Sequence, residues 1–176
     1  GDVDSILDAI NDFLSSKYHH AGERGAPVRV APGLQIILFT DMEGSTSLTQ
    51  RLGDAAAQEM VRTHNTIVRE ALAAHEGSEI KHTGDGIMAA FSSASGAIEC
   101  AIAIQKACVQ DVEAHPDAPV RVRIGLNAGE PVAEEEDLFG TAVQMAARIA
   151  ARAEADQILV SDVVRQLAAG KGFLFS

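Results

Sequence analysis

Two acidic residues in glycine-bearing settings could do chemistry: Asp41 in FTDMEGST and Asp85 in KHTGDGIMAAF. Asp41 closes a short apolar run, and a glycine and two hydroxyls follow it where a helix should open. Helix N-termini offer unpaired N–H groups and a positive dipole end to anions. An Asp beside such a cradle can hold a metal that bridges to phosphates. The plainer reading is that Ser45 caps the helix and Asp41 assists. Asp85 sits in a tight turn, where Asp-Gly is usually only turn chemistry. The pair is more informative than either member. If the first strand lies beside the hairpin, both carboxylates meet at one sheet end and each opposes the other's ionisation. A divalent cation removes that conflict, and oxygen-only ligands of this kind suit Mg²⁺ or Mn²⁺. An aspartyl phosphatase would want a second Asp two residues on; Glu43 stands there instead.

Lys81, Arg123 and Arg148 form a set of cations in an otherwise acidic chain. Arg148 lies four residues beyond Gln144, so both project from one helix face. If that face is buried, the two need partners. Either a Glu or Asp of the chain satisfies them, or they form a phosphate clamp with an orienting amide. His19, His20, His64, His75 and His115 have no metal-ligand partner at helical spacing and receive no catalytic role. The chain has no Walker loop, no G-x-G-x-x-G and no convincing Ser or Cys triad.

These residues must be positioned by alternating elements. Leu34–Thr40 reads as a buried strand, Ser45–Leu52 and Ala55–His75 as helices, with Asp54 capping the second and Gly77 ending it. Ser78–Thr83 and Ile87–Phe91 read as a hairpin through Gly84–Asp85–Gly86. Ala94–Ala114 is a long helix. Val120–Gly129 is a strand whose Val120, Val122, Ile124 and Leu126 alternate with Arg121, Arg123 and Gly125. Then follow a helix Phe139–Ala153, a strand Gln157–Val160, a helix Asp162–Ala169 and the start of a strand at Phe173–Phe175. Mixed hairpins and crossovers indicate an α+β fold, an α/β sandwich with helices over one face of a sheet. Val3, Ile6, Ile10 and Phe13 mark a short amphipathic helix over 3–16, either packed on its own domain or the tail of a dimerising helix below an upstream sensor domain. The expected division is an N-terminal helix and linker over 1–33, with a short strand at Val28–Val30, and one domain over 34–176.

The chain has 176 residues, 47% hydrophobic and 22% charged, which is one globular domain rather than a disordered chain. A net charge of -11 argues against a nucleic-acid groove or an anionic membrane surface, though a small anion is accessible if local cations offset the field. Cys100 and Cys108 fall in one helix, roughly 12 Å apart in rise, too far for a disulfide. Unpaired thiols, an acidic start and no apolar run of ~20 residues point to a cytoplasmic protein.

FTDMEGSTSL, KHTGDGIMAAF, RIGLNAGEPV and DLFGTAVQMAARI resemble, in order and spacing, the catalytic domain of class III nucleotidyl cyclases, from about Leu34 onward. The resemblance implies a ferredoxin-like βαββαβ core with added helices and strands, and a homodimer with two active sites shared between the chains. It implies that Asp41, the Met42 carbonyl and Asp85 hold two Mg²⁺ or Mn²⁺ ions per site. It implies further that Arg123 contacts the triphosphate, Arg148 stabilises the transition state, and Gln144 orients the ribose. Lys81 and Asp137 match the pair that chooses the base. Lys81 can only donate, suiting adenine N1, and ionised Asp137 can only accept, suiting the exocyclic amine. The implied reaction is adenylate cyclase chemistry, ATP to 3′,5′-cyclic AMP and pyrophosphate, in signal transduction.

Two features depart from the family pattern. Gln144 stands where most members have Asn, which moves the amide by about one methylene. Members usually continue into a further strand pair carrying a lysine for the triphosphate, and Lys171 comes too early to be that lysine. Two alternatives stay open: a non-catalytic nucleotide-binding or regulatory module of the same fold, and a cyclase for another nucleotide.

Overall fold

The structure, a computed structural model, describes residues 30–176. The expected helix over 3–16 lies outside the described residues, as do most of the linker and of the Val28–Val30 strand; Val30 is in coil and packs on the core. The elements run β1 Gln35–Met42, α1 Ser45–Leu52, α2 Asp54–Ala74, β2 Ser78–His82, β3 Ile87–Phe91, α3 Ala94–Ala114, β4 Val122–Gly129, β5 Val132–Glu134, β6 Asp137–Phe139, α4 Thr141–Arg152, β7 Ile158–Val160 and α5 Asp162–Leu167.

The main sheet has the order β2-β3-β1-β4-β7, and β5 and β6 form a separate hairpin. Strand β1 is antiparallel to both β3 and β4, while β7 joins β4 in parallel. Read from β4 to β2, the order 4-1-3-2 is that of a ferredoxin-like βαββαβ core, as expected from the resemblance. The run QIILFTDM forms the centre because it is buried on both faces, apart from half-buried Asp41.

Alternation along the strands divides the core. One face carries Ile36, Leu38, Ile87, Ala89, Ile124 and Leu126 and is covered by α2, α3, α1 and α5. Helix α4 covers the other face, where Ala146, Ala147 and Ala150 meet Ile37, Phe39 and Met88. Helices over one face alone is therefore corrected. The reason is that β4 has almost no side-chain bulk there: a Cβ on Gly125 would lie 2.2 Å from the Ala150 amide nitrogen.

Other boundaries differ from expectation. Phe139 belongs to β6, not to the helix, and the β5–β6 hairpin replaces an expected loop. Helix α2 is capped by Gly53 rather than Asp54. Its left-handed closing residue is Glu76 (φ 57), while Gly77 is needed because a Cβ there would strike Leu72 and Phe91 at 2.6 Å. Phe173–Phe175 is not a strand: no strand pairs with it, and Phe173 is held by the core and by its ring contact with Phe175. Cys100 and Cys108 are free and buried on α3, and burial pushes both thiols up to about 12. Among the described residues no helix is long and apolar enough to cross a membrane.

Candidate active site

Asp41 and Asp85 arrive at the same end of the sheet by main-chain geometry. Met42 N–H donates to the Asp85 carbonyl at 2.9 Å, which ties the last residue of β1 to the turn before β3. Gly86 makes this approach possible, since a Cβ there would fall 1.9 Å from the Thr40 carbonyl oxygen. The two carboxylates sense each other: the charge of Asp85 helps raise the Asp41 pKa, although burial is the larger cause and Arg123 acts in opposition.

Each carboxylate has a partner. Nε and Nη2 of Arg123 both donate to Asp41 Oδ2, at 2.8 and 2.5 Å. Residues 41 and 123 face each other across the β1–β4 ladder, on the side covered by α4. Arg123 also donates to the Ala151 carbonyl in the last turn of α4, at 3.3 Å. Ser45 Oγ donates to Asp85 Oδ2 at 3.0 Å. Ser45 is thus not the helix cap; Gly44, left-handed at φ 67, takes that position, with no side-chain cap. This frees the hydroxyl to orient a carboxylate, a role the capping pattern in the sequence concealed.

The donors gathered here are two carboxylates, a hydroxyl and the main chain of β1, all oxygen. The guanidinium already drawn onto Asp41 shows that the site favours positive charge. Among the described residues no group of three or more His, Cys, Asp or Glu could enclose a metal. Two carboxylates suffice for Mg²⁺ or Mn²⁺, which keep most of their remaining coordination for water and phosphate. The residues present fit such ions. A cleft of about 750 Å³ opens beside Asp85, lined also by Met42, Ser45, Thr49, Met60 and Arg62 among others; Asp41 is not in its lining.

Lys81 and Asp137 form a second cluster. Lys81 Nζ donates to Asp137 Oδ2 at 2.8 Å, with both side chains mostly buried, and lies 5.8 Å from the Phe139 ring centroid. Asp137 Oδ1 accepts the Leu138 N–H at 2.8 Å, which fixes the carboxylate plane. Lys81 is on β2 and Asp137 opens β6, so the hairpin missed in the sequence is what delivers the acid to the lysine.

Gln144 and Arg148 lie on α4, away from the buried Val143, Ala146, Ala147 and Ala150. Gln144 is exposed and Arg148 half-buried, so this face of the helix is not fully buried. No carboxylate of the described residues forms an ion pair with Arg148. Nor does any hydrogen bond join the Asp41–Asp85–Arg123 cluster to Lys81, Asp137, Gln144 or Arg148 among the described residues.

A family model described as the adenylate and guanylate cyclase catalytic domain matches residues 35–176. The chain belongs to this family of class III cyclases. It is similar to a putative adenylate cyclase 3 of Rhizobium meliloti, 32% identical over 139 residues, which are 78% of this chain but 24% of that protein. The chain thus spans about a quarter of that relative's length. The crystal structure of an adenylate/guanylate cyclase/hydrolase from Silicibacter pomeroyi is 37% identical, with a TM-score of 0.71, covering 78% of this chain and 81% of that one. The guanylyl cyclase Cya2 shares the fold at a TM-score of 0.73 and 22% identity, covering 83% and 85%. Cyclases named for either purine share this fold, so the choice of base must be sought in side chains.

Proposed function

We propose that this cyclase domain is an adenylate cyclase, converting ATP to 3′,5′-cyclic AMP and pyrophosphate as a homodimer with shared sites. The observation that carries the choice of ATP is the Lys81–Asp137 pair at 2.8 Å. A donor-only ammonium and an acceptor-only carboxylate stand side by side, and adenine presents the complementary acceptor and donor at ring N1 and the neighbouring exocyclic amine. Guanine inverts both.

Asp41 and Asp85, with the Met42 carbonyl, would hold two Mg²⁺ or Mn²⁺ ions. When bound, these lower the pKa of the ribose 3′-hydroxyl and offset charge on the triphosphate. The 3′-oxygen attacks the α-phosphorus in line, the bond to the β-phosphate oxygen breaks, and pyrophosphate departs with the electron pair. Ser45 keeps Asp85 oriented through its hydroxyl. Arg123 exchanges Asp41 for a triphosphate oxygen, Gln144 orients the ribose, and Arg148 stabilises the charge that builds up during transfer.

The separation of the two clusters supports shared sites. Exposed Gln144 and Met145 lie on α4 with half-buried Arg148, and exposed Phe139 precedes the helix, so a second copy of the chain can bring Gln144 and Arg148 to Asp41 and Asp85. The test is turnover of ATP, GTP, CTP and UTP with Mn²⁺. Cyclic AMP should dominate, and Lys81→Glu combined with Asp137→Ser should shift preference toward GTP. Preference of the unaltered protein for another base, or no turnover of any, overturns the reading.

A further inference from the structure

We propose that His64 is a positioning residue for the Asp41/Asp85 pair, acting from behind the sheet through the hydroxyl of Thr40. The proposal rests on the metal-site reading above and deepens it. Four polar side chains are buried among the described residues: Gln35, Thr40, His64 and Asn127. Gln35 and Asn127 each tie off on a main-chain carbonyl. Thr40 and His64 bond to each other, Oγ1 to Nε2 at 3.1 Å, and His64 is wholly buried on α2. Thr40 immediately precedes Asp41, with its side chain on the opposite face of β1.

Thr40 repairs a gap in the sheet. The β1–β3 ladder runs from Ile36↔Phe91 to Phe39↔Met88 and stops two residues short of Asp41. Beyond that point the Ile87 N–H donates not to a main-chain carbonyl but to Thr40 Oγ1, at 2.9 Å. Ile87 is the first residue after the Asp85–Gly86 turn. The spacing of the two aspartates therefore rests on three contacts: Met42 N–H on the Asp85 carbonyl, Gly86 against Thr40, and Ile87 N–H on the Thr40 hydroxyl. Only the third depends on a group that can rotate.

His64 locks that rotor. Its Nδ1 faces Asn65 Oδ1 at 2.9 Å, so Nδ1 carries the proton and Nε2 is bare. Nε2 accepts the Thr40 hydroxyl proton, which turns an oxygen lone pair toward Ile87 N–H. The alternative acceptor for that proton is the Ile87 carbonyl, 3.5 Å away and at the limit of a hydrogen bond. Burial lowers the His64 pKa and keeps the ring neutral, as an acceptor at Nε2 requires.

Mn²⁺ alone, titrated onto the whole chain and followed by the electron paramagnetic resonance of the free ion, tests this without turnover. His64→Leu should weaken binding roughly tenfold, the lower end of the loss when a group behind a metal ligand is removed. His64→Gln keeps an acceptor oxygen and should recover most of the affinity. Thr40→Val should match His64→Leu, and the double variant should be no worse than Thr40→Val alone. In turnover, His64→Leu should raise the Mn²⁺ concentration for half-activation more than it lowers kcat at saturating Mn²⁺. If His64→Leu melts too early to titrate, Thr40→Val and Thr40→Ser pose the same question, with loss expected from the first and retention from the second. Normal Mn²⁺ affinity in His64→Leu or Thr40→Val, with loss in Asp85→Ala, overturns the positioning role, as does a His64→Gln variant no better than His64→Leu. Undiminished binding in Asp85→Ala overturns the metal site instead.

Discussion

On the proposed metal site, Arg123 and a metal ion would compete for the same oxygen. Both bonds from the guanidinium fall on Asp41 Oδ2, and both side chains are about 30% exposed. Such a partly screened pair is worth at most about 1 kcal/mol, or roughly fivefold in affinity. Arg123→Met should therefore tighten Mn²⁺ binding several-fold while raising the KM for ATP, read by metal titration and steady-state kinetics on one preparation. Unchanged or weaker Mn²⁺ binding would show that the pair does not oppose the metal. His64 gives a second expectation at this scale. Its folded pKa lies below the unfolded value of 6.5, because burial disfavours the charged ring. The unfolded chain then binds the extra proton between the two values, so this contribution is complete above pH 6.5 and fades as pH falls through that window. Urea unfolding from pH 7.5 to 5 should show a stability loss on acidification that is smaller in His64→Leu. Equal pH slopes would remove His64 as its source. Asp41, Asp85 and Arg123 could be singled out in the sequence because a charged residue at the end of an apolar strand, in a Gly-Asp-Gly turn or within an alternating strand is conspicuous. Ser45 and Thr40 could not be read as they act, since a hydroxyl gives no sign of which of several nearby groups it will bond.

Helix α4 lies against β4 because β4 lacks side chains where the helix crosses it. A Cβ on Gly125 would meet the main chain of Ala150 at 2.2 Å, and one on Gly129 would meet Ala142 Cβ at 2.6 Å. Gly125→Ala should therefore cost about 3 kcal/mol or more, at or beyond the upper end for overpacking, because backbone cannot rotate aside. Gly96→Ala, in the first turn of α3 where the nearest atom is 3.4 Å away, should instead gain about 0.5–1 kcal/mol. Denaturant midpoints of the two variants moving in the same direction would contradict this packing account. The same strand shows where sequence patterning fell short. Val122, Ile124, Leu126 and Ala128 announce one buried face, but Arg123, Gly125, Asn127 and Gly129 look like a solvent face until an alanine-rich helix is laid on them. The β5–β6 hairpin was hidden for another reason. Each strand has three residues, too few for a period, and the acidic run between them reads as loop.

At the scale of the molecule, the proposal of shared sites makes each protomer the holder of two half-sites rather than one whole site. Asp41, Asp85 and Arg123 gather where β1 ends and α4 closes, whereas Lys81 and Asp137 gather at β2 and β6. No sequence pattern within a single chain can state that its halves are completed by another copy. Symmetry makes the idea testable, because a two-fold interface must use the same surface twice. Suppose an Asp85→Ala chain pairs with an Arg148→Ala chain. One site then combines both defects, while the other takes its aspartates from the second chain and its arginine from the first, and is intact. Each variant alone has a defect in both sites. Random pairing makes half of the dimers mixed, and each mixed dimer has one working site, so an equimolar mixture should recover about a quarter of the unaltered activity. Mixing Asp85→Ala with Asp41→Ala should recover nothing, since both defects fall in the same half-site and each site of the mixed dimer carries one of them. Activity restored in that control, or none from the first mixture once mixed dimers are seen by native mass spectrometry, would place each active site within a single chain.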